Sequence, residues 1–207
     1  MSNQPVRAVL LDYGGVIAEE GFRNGLAAMA VEQGLAAGRV LDVARRAVYD
    51  SGFVVGRGTE AAFWEAMRDG SGLRGSDAEL TRRILDGFVL RSWMMDLVLA
   101  WRAQGYVTGI LSDQTHWLDR LDERDHFFAA FDHVFNSYHL GKGKRDPTLF
   151  QDISARLQLA PAAILFVDDI RGNVERARSA GWQVVQYADR PSFEVAVSHW
   201  LPVPAAS

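Results

Sequence analysis

The sequence predicts an α/β fold, a parallel sheet covered by helices on both faces, with a bundle of helices inserted after the first strand. Three observations predict it. Short apolar runs rich in branched residues recur along the chain, and most end in a polar group. From Tyr106 onward these runs alternate with helix-period patterns, as right-handed βαβ units require. Between Glu19 and about Ser92 only helix-period patterns occur.

The first run, Val6 and Ala8-Val9-Leu10-Leu11, leads directly into Asp12-Tyr13-Gly14-Gly15-Val16-Ile17. It reads as a buried strand that delivers a carboxylate to its C-terminal end, where open α/β sheets bind ligands. Helical spacing follows in Phe22, Leu26, Met29, Ala30 and Gln33, with Gly34 placed to close the helix. Val40, Val43, Ala44, Ala47 and Val48 mark a second helix. Thr59 is placed to cap a third carrying Phe63, Trp64 and Met67. Ser76 or Asp77 is placed to cap a fourth carrying Leu80, Ile84, Leu85 and Phe88.

Met95, Val98, Leu99 and Ala103 mark a helix ended by Gly105, and Tyr106–Ser112 reads as the second strand. A helical stretch is expected from Trp117 to Ala130, and a short strand over His133–Ser137. Pro147 is expected in the first turn of a helix through Phe150, Ile153 and Leu157. Ala163–Val167 reads as a strand ending in Asp168-Asp169. A helix over Asn173–Ala180, a strand over Trp182–Tyr187 and a helix over Phe193–Trp200 complete the pattern. A loose tail is expected around Pro202 and Pro204.

The chain has 207 residues, 48% of them hydrophobic, which suits one domain or a core with an insert. Its net charge of −4 presents no basic field, so nucleic acid and anionic membrane are not expected partners. No cysteine occurs, which excludes disulfides, thiolate nucleophiles and thiolate metal sites. The N-terminal residues show no signal pattern, and no apolar run approaches bilayer length. The expectation is a cytoplasmic protein, monomer or homodimer.

Four strand ends bring polar groups to one edge of the sheet: Asp12, then Ser112 and Asp113, then Lys142 and Lys144, then Asp168 and Asp169. Each has an ordinary reading as a helix cap or a solvated charge. Two adjacent carboxylates at the end of a buried strand, however, repel unless a cation or hydrogen-bond donors compensate. Asp12 with one of Asp168 and Asp169 suits a hard cation such as Mg²⁺, which takes oxygen ligands. A phosphoryl group there would meet the cation, the Ser112 hydroxyl, the Lys144 ammonium and the N–H groups around Gly15. A carboxylate beside the cation could attack phosphorus and split one hard step into two.

The order and spacing of these motifs resemble the haloacid dehalogenase-like hydrolases, in the branch with a helical cap after the first strand. Leu10-Leu11-Asp12-Tyr13-Gly14-Gly15-Val16 matches the first motif, Asp-x-Asp-x-Val/Thr, except that Gly14 stands at the second Asp. Ile110-Leu111-Ser112 matches the second. Leu140-Gly141-Lys142-Gly143-Lys144 matches the third, with Arg145 in place of the usual proline. Phe166-Val167-Asp168-Asp169, followed by Asn173 and Ala177–Gly181, matches the fourth.

The resemblance implies a Rossmann-like core over 1–18 and 93–207 and a cap over 19–92. It implies a phosphatase of a small phosphorylated metabolite, with Asp12 as nucleophile and metal ligand. The Gly14 carbonyl and Asp169 would be further ligands of Mg²⁺, with Asp168 binding directly or through a water. Ser112 and Lys144 would hold the phosphoryl oxygens, and Asn173 would orient the loop.

Gly14 lacks the carboxyl group that in such phosphatases protonates the leaving oxygen. Either turnover relies on water or another acid, or Asp113, Glu19 or Glu20 stands in, or the site holds ligand with little catalysis. A weak ligand-binding or protein-interaction member is therefore the alternative. A dehalogenase is disfavoured by Asp168 and Asp169. A phosphonate hydrolase is disfavoured because no lysine precedes Lys142. In the cap, Arg23 and Arg57 are candidates for substrate contact, while Phe63 and Trp64 fit packing better. His139 lies close enough in sequence to Lys144 to be a minor candidate.

Overall fold

The structure, a computed structural model, describes residues 5–203. The first four residues and the tail from Pro204 lie outside the described residues. Five strands form one parallel sheet: β1 (Ala8–Leu11), β2 (Val107–Ser112), β3 (His133–Asn136), β4 (Ile164–Asp168) and β5 (Gln183–Gln186). Their spatial order is β3-β2-β1-β4-β5, so β1 lies at the centre. Leu11 pairs with Ile110 on one side and Val167 on the other. The residues just past β1 therefore emerge between the ends of β2 and β4.

The helices are α1 (Gly21–Glu32), α2 (Ala37–Asp50), α3 (Glu60–Ser71), α4 (Asp77–Asp86), α5 (Ser92–Ala103), α6 (Trp117–Asp125), α7 (Ser137–Leu140), α8 (Leu149–Leu157), α9 (Arg171–Ser179) and α10 (Arg190–Val197). Alternation along β1 splits its side chains between two cores. Val9 and Leu11 pack with Trp101 of α5 and Phe193 of α10, while Ala8 and Leu10 pack with Phe150 of α8 and Trp182. Burying a large aliphatic or aromatic side chain stabilises by about 1.5–3 kcal/mol, and both faces of the sheet are filled this way. Among the described residues no helix is long and apolar enough to cross a membrane.

Helices α1–α4 pack on one another above the C-terminal edge. The chain enters and leaves this block side by side. Glu19 N–H donates to the Val89 carbonyl at 2.9 Å, and Arg91 N–H to the Ile17 carbonyl at 2.9 Å. Thr59 and Ser76 cap α3 and α4 through Ala62 N–H and Glu79 N–H, as their positions predict. Phe63 and Trp64 are fully buried, and the Trp64 indole donates to Thr81.

Several boundaries differ from the sequence reading. The helix expected over Trp117–Ala130 breaks at His126, whose φ is 54°, and continues as a 3₁₀ turn over Phe127–Ala130. The break seats Phe127 against Tyr13, with ring centroids 4.9 Å apart. Pro147 precedes α8 rather than entering its first turn, because Asp146 accepts from both the N–H and the hydroxyl of Thr148 and turns the chain there. The last helix begins at Arg190 rather than Phe193 and ends at Val197. Asp189 caps it through Ser192 N–H, and Pro191 sits in its first turn.

Candidate active site

Asp12 follows β1 and still donates its N–H to the Val167 carbonyl at 2.9 Å, so its position is set by the sheet. A tight turn follows, closed by Ala18 N–H to the Tyr13 carbonyl at 2.9 Å. Gly15 in that turn has φ +82°, and a Cβ there would lie 2.7 Å from Asp169 Oδ2. Only glycine fits between this backbone and the neighbouring carboxylate.

The Asp12 carboxylate is held on both oxygens. Oδ1 accepts from the Ser112 hydroxyl and from Tyr13 N–H, each at 2.7 Å. Oδ2 pairs with Lys144 Nζ at 2.8 Å. The same ammonium donates to Asp168 Oδ2 at 2.6 Å, and Lys144 and Asp168 are both 0% exposed. Asp168 also accepts from Ile170 N–H at 2.7 Å and from the Asn173 amide at 3.0 and 3.1 Å. Asn173 is held in turn by Arg176, which also donates to the Lys144 carbonyl at 2.7 Å.

Burial alone would lower the Lys144 pKa. The carboxylates of Asp12, Asp168 and Asp113 more than offset this and hold the ammonium charged. Burial raises the pKa of Asp168, against the pull of Lys144. Burial, and then the charge of Asp12, raises that of Asp169. One oxygen from each of Asp12, Asp168 and Asp169 lies within 4.8 Å of the others. When all three are ionised they carry three negative charges against the one positive charge of Lys144, an excess of two that burial penalises unless a cation is bound. A cluster that offers only oxygen and an excess of negative charge fits a hard divalent cation.

Two adjoining cavities open above this cluster. One, of about 480 Å³, is lined by Asp12, Ser112, Lys144, Asp169 and Asn173. The other, of about 390 Å³, is largely apolar, lined by Phe22, Leu41, Val48, Val54 and Trp117 with Arg23 at its margin. Glu20, Tyr49, Asp113 and Gln114 border both. The sizes match sites for small organic ligands.

The sheet edge thus brings together Asp12, Gly14, Ser112, Asp113, Lys144, Asp168 and Asp169; Gly15, expected to offer its N–H to phosphate, donates it instead to the Ala18 carbonyl at 2.8 Å and closes the turn. The Asp113 carboxylate is committed within the protein, accepting from Lys144 N–H at 2.8 Å and the Tyr49 hydroxyl at 3.2 Å. Lys142 pairs with Asp152, and His139 pairs with Asp119 on the surface, so neither joins the site. Arg57 reaches the Gly141 carbonyl instead of the cavity, while Arg23 borders it. Arg91 has no motif of its own in the sequence. It donates to the Gly15 and Val16 carbonyls at 2.6 and 2.8 Å and pairs with Glu19, fixing the turn after Asp12. Tyr49, with the Arg145 guanidinium 3.4 Å above its ring, ties α2 to the Lys144 loop. A helix-period pattern marks Tyr49 only as a half-buried residue of α2.

A parallel α/β sheet with a carboxylate–lysine cluster at its C-terminal edge, roofed by helices, defines a class of hydrolases. Residues 6–181 match the family model of the haloacid dehalogenase-like hydrolases, and the chain belongs to that family. Enolase-phosphatase E1 of Yersinia enterocolitica is 41% identical over 56 residues, which cover 26% of this chain and 24% of that protein. The chain thus matches only about a quarter of that relative's length. A crystal structure of a family enzyme from Bacteroides thetaiotaomicron, in complex with magnesium and inorganic phosphate, superposes with a TM-score of 0.66 at 19% identity. It covers 87% of this chain and 93% of that one. The L-2-haloacid dehalogenase of Xanthobacter autotrophicus superposes with a TM-score of 0.65 at 17% identity, over 95% of this chain and 85% of that one. At these identities the two structures show the shared fold.

Proposed function

We propose that this hydrolase is a Mg²⁺-dependent phosphatase of small phosphate monoesters, working through an aspartyl phosphate on Asp12, with residues 19–92 as its cap. The observation that carries the reading is the three-carboxylate cluster bridged by the buried Lys144. Asp12 and Asp169 would hold the metal with the Gly14 carbonyl, and Asp168, saturated by Lys144, Ile170 and Asn173, would act through a water. Bound there, the metal would neutralise phosphoryl charge and orient the ester.

The chain's own residues supply the rest. Asp12 attacks phosphorus. The P–O bond to the leaving group breaks, and an acyl phosphate forms on Asp12. Water then attacks the same phosphorus and releases inorganic phosphate and Asp12. Lys144 spends two of its three N–H bonds on Asp12 and Asp168, which leaves one for a phosphoryl oxygen. The Ser112 hydroxyl, which donates to Asp12 in the free site, would turn to a second oxygen when the phosphoryl group is bound. The leaving group would sit in the apolar cavity between Phe22 and Trp117. That lining favours an aryl or alkyl ester over a strongly polar one.

Dehalogenation needs an Asp nucleophile with no metal; Asp168 would still hold Lys144, but the Asp169 carboxylate beside Gly15 would have no cation to serve. The purified protein is expected to release phosphate from aryl phosphates and no halide from 2-haloacids. Halide release without phosphate release would overturn the phosphatase reading.

A further inference from the structure

Gly14 removes the usual proton donor, yet the space such a donor would fill is not empty of carboxylate. A Cβ built on Gly14 would lie 3.2 Å from Phe88 Cε1, 3.6 Å from Glu20 Oε2 and 3.8 Å from the Gln114 amide. The Gly14 φ is not positive, so a side chain there meets no backbone strain, and the Phe88 ring must give by a few tenths of an ångström to admit it. Glu20 comes from another element, the N-cap of α1. Its Oε1 accepts from Arg23 N–H at 3.1 Å, which fixes the side chain and leaves Oε2 toward the cavities it borders.

Of the other carboxylates near this space, Asp12 and Asp169 belong to the metal cluster, and Glu19 and Asp113 are committed elsewhere. Glu19 turns outward, 55% exposed, with both oxygens on Arg91. Asp113 has one oxygen on Lys144 N–H and the other on the Tyr49 hydroxyl.

We infer that Glu20 is the general acid and base of this site, taking over from the first structural turn of the helical block the role that Gly14 cannot fill. The inference rests on the phosphatase reading above. As the bond from Asp12 to phosphorus forms and the P–O bond to the leaving group breaks, the proton on Glu20 Oε2 passes to the leaving oxygen. The alcohol or phenol departs. Glu20, now a carboxylate, takes a proton from the water that attacks phosphorus. The bond from phosphorus to Asp12 breaks, and Asp12 and protonated Glu20 are regenerated with inorganic phosphate. Because Glu20 caps α1, the acid is positioned by the same helix whose Phe22 lines the leaving-group cavity.

The test is leaving-group dependence with two esters of one shape, phenyl phosphate and p-nitrophenyl phosphate, assayed with Mg²⁺ on the full chain and on Glu20→Gln. Glutamine keeps the oxygen that caps α1 and cannot donate an acidic proton. kcat/KM reports the steps up to the aspartyl phosphate, in which only the poor leaving group needs an acid. Phenyl phosphate is expected to lose about 100-fold or more, and p-nitrophenyl phosphate at least about tenfold less. Gly14→Asp added to Glu20→Gln is expected to return phenyl phosphate turnover, because it restores a carboxyl group to the same space.

Equal losses on the two esters, or no loss on either, would overturn the assignment while leaving the phosphatase reading intact. Failure of the unaltered chain to hydrolyse either ester would overturn that reading, and this assignment with it.

Discussion

Asp12→Asn is expected to lower kcat/KM for p-nitrophenyl phosphate by about 10³-fold or more, a rise in barrier of at least about 4 kcal/mol, while the protein still folds. The neutral amide removes the attacking oxygen anion, and nothing else within the cluster is placed to replace it. The fold should persist with a smaller loss than removal of Lys144, since Lys144 loses the Asp12 oxygen but keeps Asp168. Asparagine keeps an acceptor for the Ser112 hydroxyl and Tyr13 N–H, and one negative charge leaves a cluster that has two in excess. Chemical denaturation measured beside the assay separates the two effects. Retained turnover in a well-folded Asp12→Asn protein would place the nucleophile elsewhere.

Lys144→Met is expected to be the costliest single change to stability at this site. The ammonium is fully buried between Asp12 and Asp168. Removing one partner of a buried ion pair leaves uncompensated charge and costs about 3–5 kcal/mol. The cost should depend on pH with a definite sign. Burial already raises the Asp168 pKa in the intact protein, and loss of the lysine raises it further above the unfolded value near 3.9. Between those two values the folded state binds the extra proton, so stability falls as pH rises. Urea denaturation should therefore show a larger deficit against the unaltered protein at pH 8 than at pH 5. Equal deficits at the two pH values would mean that lost packing, not buried charge, sets the cost.

Much of this was legible in the sequence because strand ends carry it. Each of Asp12, Ser112 and Asp168 follows a short apolar run, and a parallel sheet must bring such ends to one edge. The helices α1–α4 were legible from 3.6-residue spacing and from the caps Thr59 and Ser76. What escaped depends on contacts between distant segments. Arg91 meets Gly15 across 76 positions, and Tyr49 meets Asp113 across 64. No local pattern encodes either. The helix expected through Ala130 broke because Phe127 finds a better place on Tyr13 than a helix would give it, a tertiary preference that periodicity does not carry. Glu19 and Glu20 are indistinguishable by position in sequence. Only the Arg91 pair turns one outward, and only the α1 cap holds the other above Gly14.

Hydrolysis of phosphate esters by a metal-assisted carboxylate site at this sheet edge is the reading on which the other expectations depend. Its most direct test is phosphate release from p-nitrophenyl phosphate by the purified chain, with Mg²⁺ and then with excess chelator. Turnover is expected with Mg²⁺, to be lost on chelation and to return when the metal is restored. Turnover that chelation leaves unchanged would contradict the role given to Asp12, Asp168 and Asp169. Absence of turnover with Mg²⁺ bound would contradict the phosphatase itself.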